Sequence, residues 1–442
     1  MGIIATVSTS VQALFGTMAE EVAKEHPIVL RRRKFTTATL AQTFILGFLA
    51  KPRASDEELA QTAALCGVEI TTQAIEQRHT ARLAEFLEGL FRRATQCVVR
   101  SQTALAPLLD RFATVLILDS TTTTLPDALR DRFPGCGGSH GGGQAAMKLQ
   151  VQWDLGSGAL DAVVIESGRD CDDKTSLQSS RLTPGSLRIT DLGYFDTQVF
   201  QRFNQQGVFW LSRLQFGTSV FTPEGQRLSL LDWLGEQPGP FVDRLILMGT
   251  ERKVACRIVA WRVPQEVADR RRQKLITETR RKDGRVPSKE RLAWCDWTIL
   301  VTNVTADVLT AKEIAVLYRA RWQIELLFKR WKSLGLIAEL SGSTVVRQMI
   351  RLWSRLLAVL MQHWLLLSSV WGNPRCSLAK ACEAIRRHAL ILAAVIGTPT
   401  RLVVAIEELG ALLRATVRQN KRKKPSTFEL LNDPELLEYS LT

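Results

Sequence analysis

The segment LTAKEIAVLYRARWQIELLFKRWKSLGL carries a phenol, a guanidinium, a carboxylate and an ammonium in the order Tyr318, Arg321, Glu325, Lys332. At about 100° per residue these four fall near 0°, −60°, −20° and −40°, one narrow stripe of a helix. Thr310 and Glu313 form a capping box that starts this helix, and Gly335 ends it. Beside the stripe runs an apolar arc with Leu317, Ile324, Leu327, Phe328 and Trp331, which seats the helix on a core. Residue types alone allow a surface salt-bridge ladder, with Arg321 and Glu325 an ordinary (i, i+4) pair.

Two aspartates stand in matching contexts upstream. TVLILDS reads as a short buried strand bounded by Asp119 and the Ser-Thr residues after it, and SLRITDLGYF reads as a strand ending at Asp191. Asp170, Asp172 and Asp173 in GRDCDDK, and Glu166 at a strand end, compete as acids and read as loop and helix-start residues. The glycine-rich loop Gly135 to Gly143 lacks the GK[ST] ending of a nucleotide-binding loop. It reads as a mobile loop near the site, with Lys148 beyond it as a DNA contact.

The spacing Tyr-(2)-Arg-(3)-Glu-(6)-Lys resembles the signature of bacterial insertion-sequence DDE transposases of the IS-four family, cut-and-paste enzymes with an RNase H-like core. Leu118-Asp119-Ser120-Thr121 and Asp191-Leu192-Gly193-Tyr194 resemble the contexts of that family's first and second catalytic aspartates. The resemblance covers roughly residues 110 to 370. It implies that Asp119, Asp191 and Glu325 hold two Mg²⁺ ions, with Mn²⁺ as a substitute. Such ions, about 3.5–4 Å apart, stabilise attacking and leaving oxygens at a phosphodiester and activate a water or 3′-hydroxyl. It also implies that Tyr318, Arg321 and Lys332 grip the transposon end. Trp297, with Trp294 as runner-up, would stack on a base flipped out during hairpin formation. The implied partners are double-stranded DNA, as terminal inverted repeats and target, and a second copy of the chain in the DNA complex. Two other readings stay open: a nuclease of the same core that cuts without joining, and an inactive domesticated DNA-binding protein.

The bulk properties agree with a polyanionic partner. The 442 residues carry a formal charge of +14, which points to nucleic acid first. The most apolar stretch, Leu352 to Trp371, is interrupted by Arg355, Gln362 and His363 and reads as a buried helix, not a membrane span. Eight scattered cysteines without zinc spacing fit a reducing cytoplasm, and a bacterial, nucleoid-associated location follows from the resemblance.

The elements that must position the site divide the chain as follows. Residues 1–108 read as a helical DNA-binding domain, helix-turn-helix-like at 55–87, where Ser55 and Glu58 form a capping box and a second helix presents Gln73, Gln77, Arg78 and Arg82. Residues 109–216 and 301–370 read as an RNase H-like α/β core with a mixed sheet. Residues 217–300 read as a β-rich insertion whose alternating strands flank a charged arm containing Arg270, Arg271, Arg272, Lys274, Arg280, Arg281, Lys282, Arg285 and Lys289. Residues 371–442 read as a helical C-terminal region with a basic tail from Arg418 to Lys424.

Overall fold

Threonine's branched Cβ favours extended backbone, and Thr121 to Thr124 carry the first strand well past Asp119. In a computed structural model that describes residues 2–28, 34–101, 106–136, 144–239, 241–340, 342, 344–420 and 424–440, strand β1 spans Val115–Thr124. Asp119 therefore lies in mid-strand, not at the strand end its Ser-Thr neighbours suggested. The basic residues Arg31 to Arg33, the loop residues 137–143 and the tail residues 421–423 lie outside the described residues.

The N-terminal segment forms α1 (Ile3–Phe15), α2 (Thr17–Glu25), α3 (Thr37–Ala50), α4 (Asp56–Leu65), α5 (Thr72–Glu76) and α6 (Ala81–Ala94). The capping box of Ser55 and Glu58 starts α4, and Thr71 caps α5. The expected second helix is split in two. Thr80 caps a new helix, and between them His79 is buried with Nε2 2.9 Å from Asp56. Gln73 and Arg82 consequently sit on different helices. After β1 come β2 (Ala146–Asp154), β3 (Leu160–Ser167), β4 (Leu187–Thr190), α7 (Thr197–Gln206), β5 (Phe209–Arg213), β6 (Val220–Phe221), α8 (Leu230–Glu236), β7 (Val242–Met248), β8 (Val254–Arg262), α9 (Gln265–Asp283), α10 (Lys289–Ala293) and β9 (Trp297–Thr302). The chain ends in α11 (Ala311–Ala320), α12 (Trp322–Gly335), α13 (Val345–Ser369), α14 (Leu378–Val395), α15 (Pro399–Thr416) and α16 (Thr427–Asn432).

These elements form two compact units. The first comprises Met1–Ala104, Ser120–Asp170 and Glu325–Lys421. Its centre is α13, in which every residue from Gln348 to Ser369 except Arg351 is buried, with α1, α3, α6, α14 and α15 packed around it. The polar residues that interrupt this apolar helix all find backbone carbonyls. Arg355 donates to Leu336 and Glu339, Gln362 to Cys382, and His363 Nε2 lies 2.7 Å from the Gly158 carbonyl. Among the described residues no helix is long and apolar enough to cross a membrane. Strands β2 and β3 form an antiparallel hairpin. Its turn uses Gly158 at φ +73°, where a Cβ would lie 2.4 Å from Trp371, so a glycine is required on both conformational and steric grounds.

The second unit comprises Leu105–Asp119, Cys171–Ile324 and Arg422–Thr442. Its strands run β1-β4-β5-β9-β8-β7-β6. The first three are parallel, and α7 supplies the crossover from β4 to β5, ending at Gly207 in the left-handed region. Phe200 of α7 stacks on Trp210 of β5 with ring centroids 4.1 Å apart. The remaining pairings are antiparallel. The strands of residues 217–300 thus extend the core sheet, because β9 pairs with β5 on one side and β8 on the other. The charged arm is a helix, α9. The expected class, a mixed α/β sheet with helical N- and C-terminal regions, is the one observed.

Burial holds the His363 imidazole neutral, pushing its pKa down to about 4 from 6.5. The unfolded chain takes up this proton first, so stability contributed by the neutral ring is present above pH 6.5 and lost as pH falls towards 4. The expected loss is roughly 1.4 kcal/mol per pH unit below about pH 6. Denaturant unfolding of the wild type and of His363→Gln across this range checks it: the variant should lose that slope.

Candidate active site

Parallel pairing fixes the first two acids. Leu118 of β1 is in register with Thr190 of β4, the last pair of that ladder, and Asp119 and Asp191 are the next residue on each side. Helix α11 answers both. Arg321, just past its end, places Nη1 2.6 Å from Asp119 Oδ2, a charge-assisted bond between two largely buried groups. The Tyr318 hydroxyl donates to Asp191 Oδ1 at 3.2 Å. Burial pushes the Tyr318 phenol well above its usual range, so it remains a donor. Two guanidinium groups face its ring, Arg213 at 5.7 Å and Arg321 at 5.9 Å from the centroid.

The single helix expected over residues 310–335 is two helices. The Thr310–Glu313 capping box starts α11 as expected, and Glu313 also pairs with Arg111 at 2.8 Å. At Arg321 the bonding tightens to three-residue steps, Arg321 N to the Tyr318 carbonyl and Ile324 N to the Arg321 carbonyl. The tighter turn shifts the phase of everything after it relative to a uniform helix. Glu325 falls in the first turn of α12 and is half-buried. Lys332 donates to the Thr122 carbonyl at 2.7 Å, and burial lowers its pKa. Gly335 is the last residue of α12, where a Cβ would press on Val359 at 2.5 Å.

Hard carboxylate oxygens are the donors that Mg²⁺ and Mn²⁺ prefer, and the aspartate pair supplies them. Among the described residues no group of three or more His, Cys, Asp or Glu side chains is gathered at metal-holding distances. Of the competing acids, Asp172 and Asp173 lie in a short 3₁₀ turn. Lys148, expected as a DNA contact, is buried and donates to the Asp170 carbonyl.

Trp297 opens β9 and is half-buried. Its ring faces Arg262 of β8, with the guanidinium 5.0 Å from the centroid, as their cross-strand register requires. Trp294 packs edge-on against Phe216 at 5.3 Å. Two residues beside this site escaped the sequence reading. Arg213 is an exposed lone cation at the end of β5, and nothing in its neighbourhood marks it. Trp322 is 55% exposed. On the helical wheel it falls about 40° from Tyr318, well off the apolar arc, so its exposure was legible.

Residues 110–361 match the transposase DDE domain family. The chain belongs to that family. Its match takes in Asp119, Asp191, Tyr318, Arg321, Glu325 and Lys332. The chain is 26% identical over 452 residues to the transposase for insertion sequence element IS231F of Bacillus thuringiensis subsp. israelensis, covering 95% of this chain and 93% of that one. It is 25% identical over 321 residues to the transposase for insertion sequence element IS1151 of Clostridium perfringens, covering 68% and 67%. With the putative transposase InsL of Escherichia coli K12 it shares 29% identity over 213 residues, 44% and 54% of the two chains. The resemblance to bacterial insertion-sequence DDE transposases is borne out.

Proposed function

We propose that this transposase excises its insertion sequence by a cut-and-paste route, with Asp119, Asp191 and Glu325 as its metal-holding acids. Membership of the transposase DDE domain family makes it an enzyme of DNA transposition, acting by cleavage and strand transfer with divalent metal. The register that brings Asp119 and Asp191 together, opposite Tyr318 and Arg321, supports the two aspartates, and the Tyr-Arg-Glu-Lys spacing supports Glu325. Mg²⁺, or Mn²⁺ in its place, supplies Lewis-acid stabilisation of the phosphodiester and a nucleophile at neutral pH when bound.

The chain's own residues do the positioning. Arg321 neutralises Asp119, and a phosphate offers its guanidinium a second, bidentate partner. Tyr318 orients the Asp191 carboxylate through its hydroxyl. Lys332 contributes a point charge to the same phosphate contacts. Trp297 stacks on a flipped base in hairpin formation, its ring already paired with a cation. Two copies of the chain pair two terminal inverted repeats, and the work is done in the bacterial cytoplasm at the nucleoid.

Glu325→Ala should abolish cleavage of a terminal inverted repeat in Mg²⁺ while DNA binding persists; wild-type cleavage by the variant would remove Glu325 from the mechanism. Because Arg321 competes with a metal ion for Asp119, Arg321→Ala should tighten Mn²⁺ binding to the DNA-free protein roughly tenfold and weaken cleavage. Titration followed by electron paramagnetic resonance reads the first effect, and unchanged affinity would refute the competition. Trp297→Ala should slow hairpin formation more than first-strand nicking in a gel time course; equal slowing of both would rule out stacking.

A further inference from the structure

Helix α9 has nineteen residues, about 28 Å of rise, yet Ala268 is its one buried residue. A helix polar on nearly all sides has little tertiary packing to hold it. Beside Ala268 and the half-buried Leu275, its polar attachment comes from two arginines. Arg271 donates to the Trp297 carbonyl at 3.0 Å and to Thr298 Oγ1 at 3.1 Å. Arg272 pairs with Asp296 and with Asp269. Arg271 and Arg272 thus staple the helix to the start of β9. They are structural cations.

Three other cations face elsewhere, while Arg280 and Lys282 in the last turn fall at about 60° and 260°. At about 100° per residue from Gln265, the stapled side with Ala268, Arg271 and Arg272 spans about 240° to 340°, whereas Arg270, Lys274 and Arg281 fall at about 140°, 180° and 160°. Those three are exposed. They form one stripe about 16 Å long, on the side away from the staple. The negative end of the helix dipole gives Arg281 a local reason for its charge. It gives none to Arg270 and Lys274 in the first half of the helix. The 3.9 Å pair of Lys274 with exposed Glu278 is weak compensation.

We propose that this stripe is a phosphate-tracking surface for duplex DNA, which sets non-specific affinity without entering the chemistry. The proposal rests on the DNA-transposing reading above. It divides a basic run that looks uniform in sequence into staples and ligand contacts. The occupant follows from charge: three cations spaced along a rigid rod, with no apolar patch among them, match a regular polyanion and not a protein groove or a lipid acyl layer.

The test is the combined variant Arg270→Ala, Lys274→Ala and Arg281→Ala in the full chain. Alanine preserves the helix, which far-ultraviolet circular dichroism verifies. Anisotropy titrations with a fluorescent duplex of arbitrary sequence, over a range of salt, give log K against log[salt]. Loss of three phosphate contacts should reduce the magnitude of the slope by about 2 to 3 and weaken binding at moderate salt by at least about tenfold. At saturating protein the variant should cleave its terminal repeat at the wild-type rate. A slope equal to that of a DNA-binding wild type would overturn the phosphate stripe alone. A cleavage rate lost at saturation would overturn the separation from chemistry. A wild-type chain that binds no duplex would overturn this proposal together with the function it rests on.

Discussion

Asp119 and Asp191, each the residue after the last paired step of two adjacent parallel strands, bring like charge together, and the groups around them answer that charge. The register of β1 with β4 leaves no freedom to move Asp119 away from Asp191. Positive charge and hydrogen-bond donors must therefore come to them. Arg321 and Tyr318 do so from α11, Arg213 adds a further cation over the Tyr318 ring, and Glu313 fixes the start of that helix through its cap and Arg111. A divalent ion would offset the same repulsion more completely, which is why the arrangement suits one.

The break between α11 and α12 belongs to this electrostatic arrangement. In a uniform helix Arg321 and Glu325 would be (i, i+4) neighbours, and their natural partner would be each other. The tightened turn at Arg321 accompanies a different pairing, in which the guanidinium reaches Asp119. A salt-bridge ladder confined to the helix surface, the alternative reading of the stripe, does not account for this bond to the sheet. Arg321 is bound to the sheet, and its side chain is 13% exposed. That is a poor position for a solubilising surface cation.

Much of this was legible because local signals and chemistry coincide. Asp191 follows four buried strand residues and stands two before Gly193, and the strand does end there. Ser55, Thr310 and Thr71 announce helix starts that the backbone honours. Asp119 was found, but its strand was cut short, because Ser-Thr runs favour turns and strands alike and only pairing decides between them. The break at Arg321 has no sequence mark, since good helix formers stand on both sides. Arg213 could not be singled out: a lone cation acquires meaning from the Tyr318 ring it faces, a residue 105 positions later in the chain. The burial of Lys148, a lysine after a glycine-rich loop and bonded to backbone, had no sequence mark either.

The basic arm shows why charge counting is a blunt instrument. Within α9, consecutive Arg270, Arg271 and Arg272 are separated by about 100° each, so three adjacent cations cannot share one task. Two of them turn inward, where Asp296 and the carbonyl of Trp297 meet them, and the third is left on the outside. The inward bond matters for the site as well. Arg271 holds the backbone of Trp297 while Arg262 faces its ring, so the tryptophan is held from two directions. An aromatic platform gains affinity when its orientation is set in advance, and here the same helix that offers cations to phosphate supplies part of that fixation.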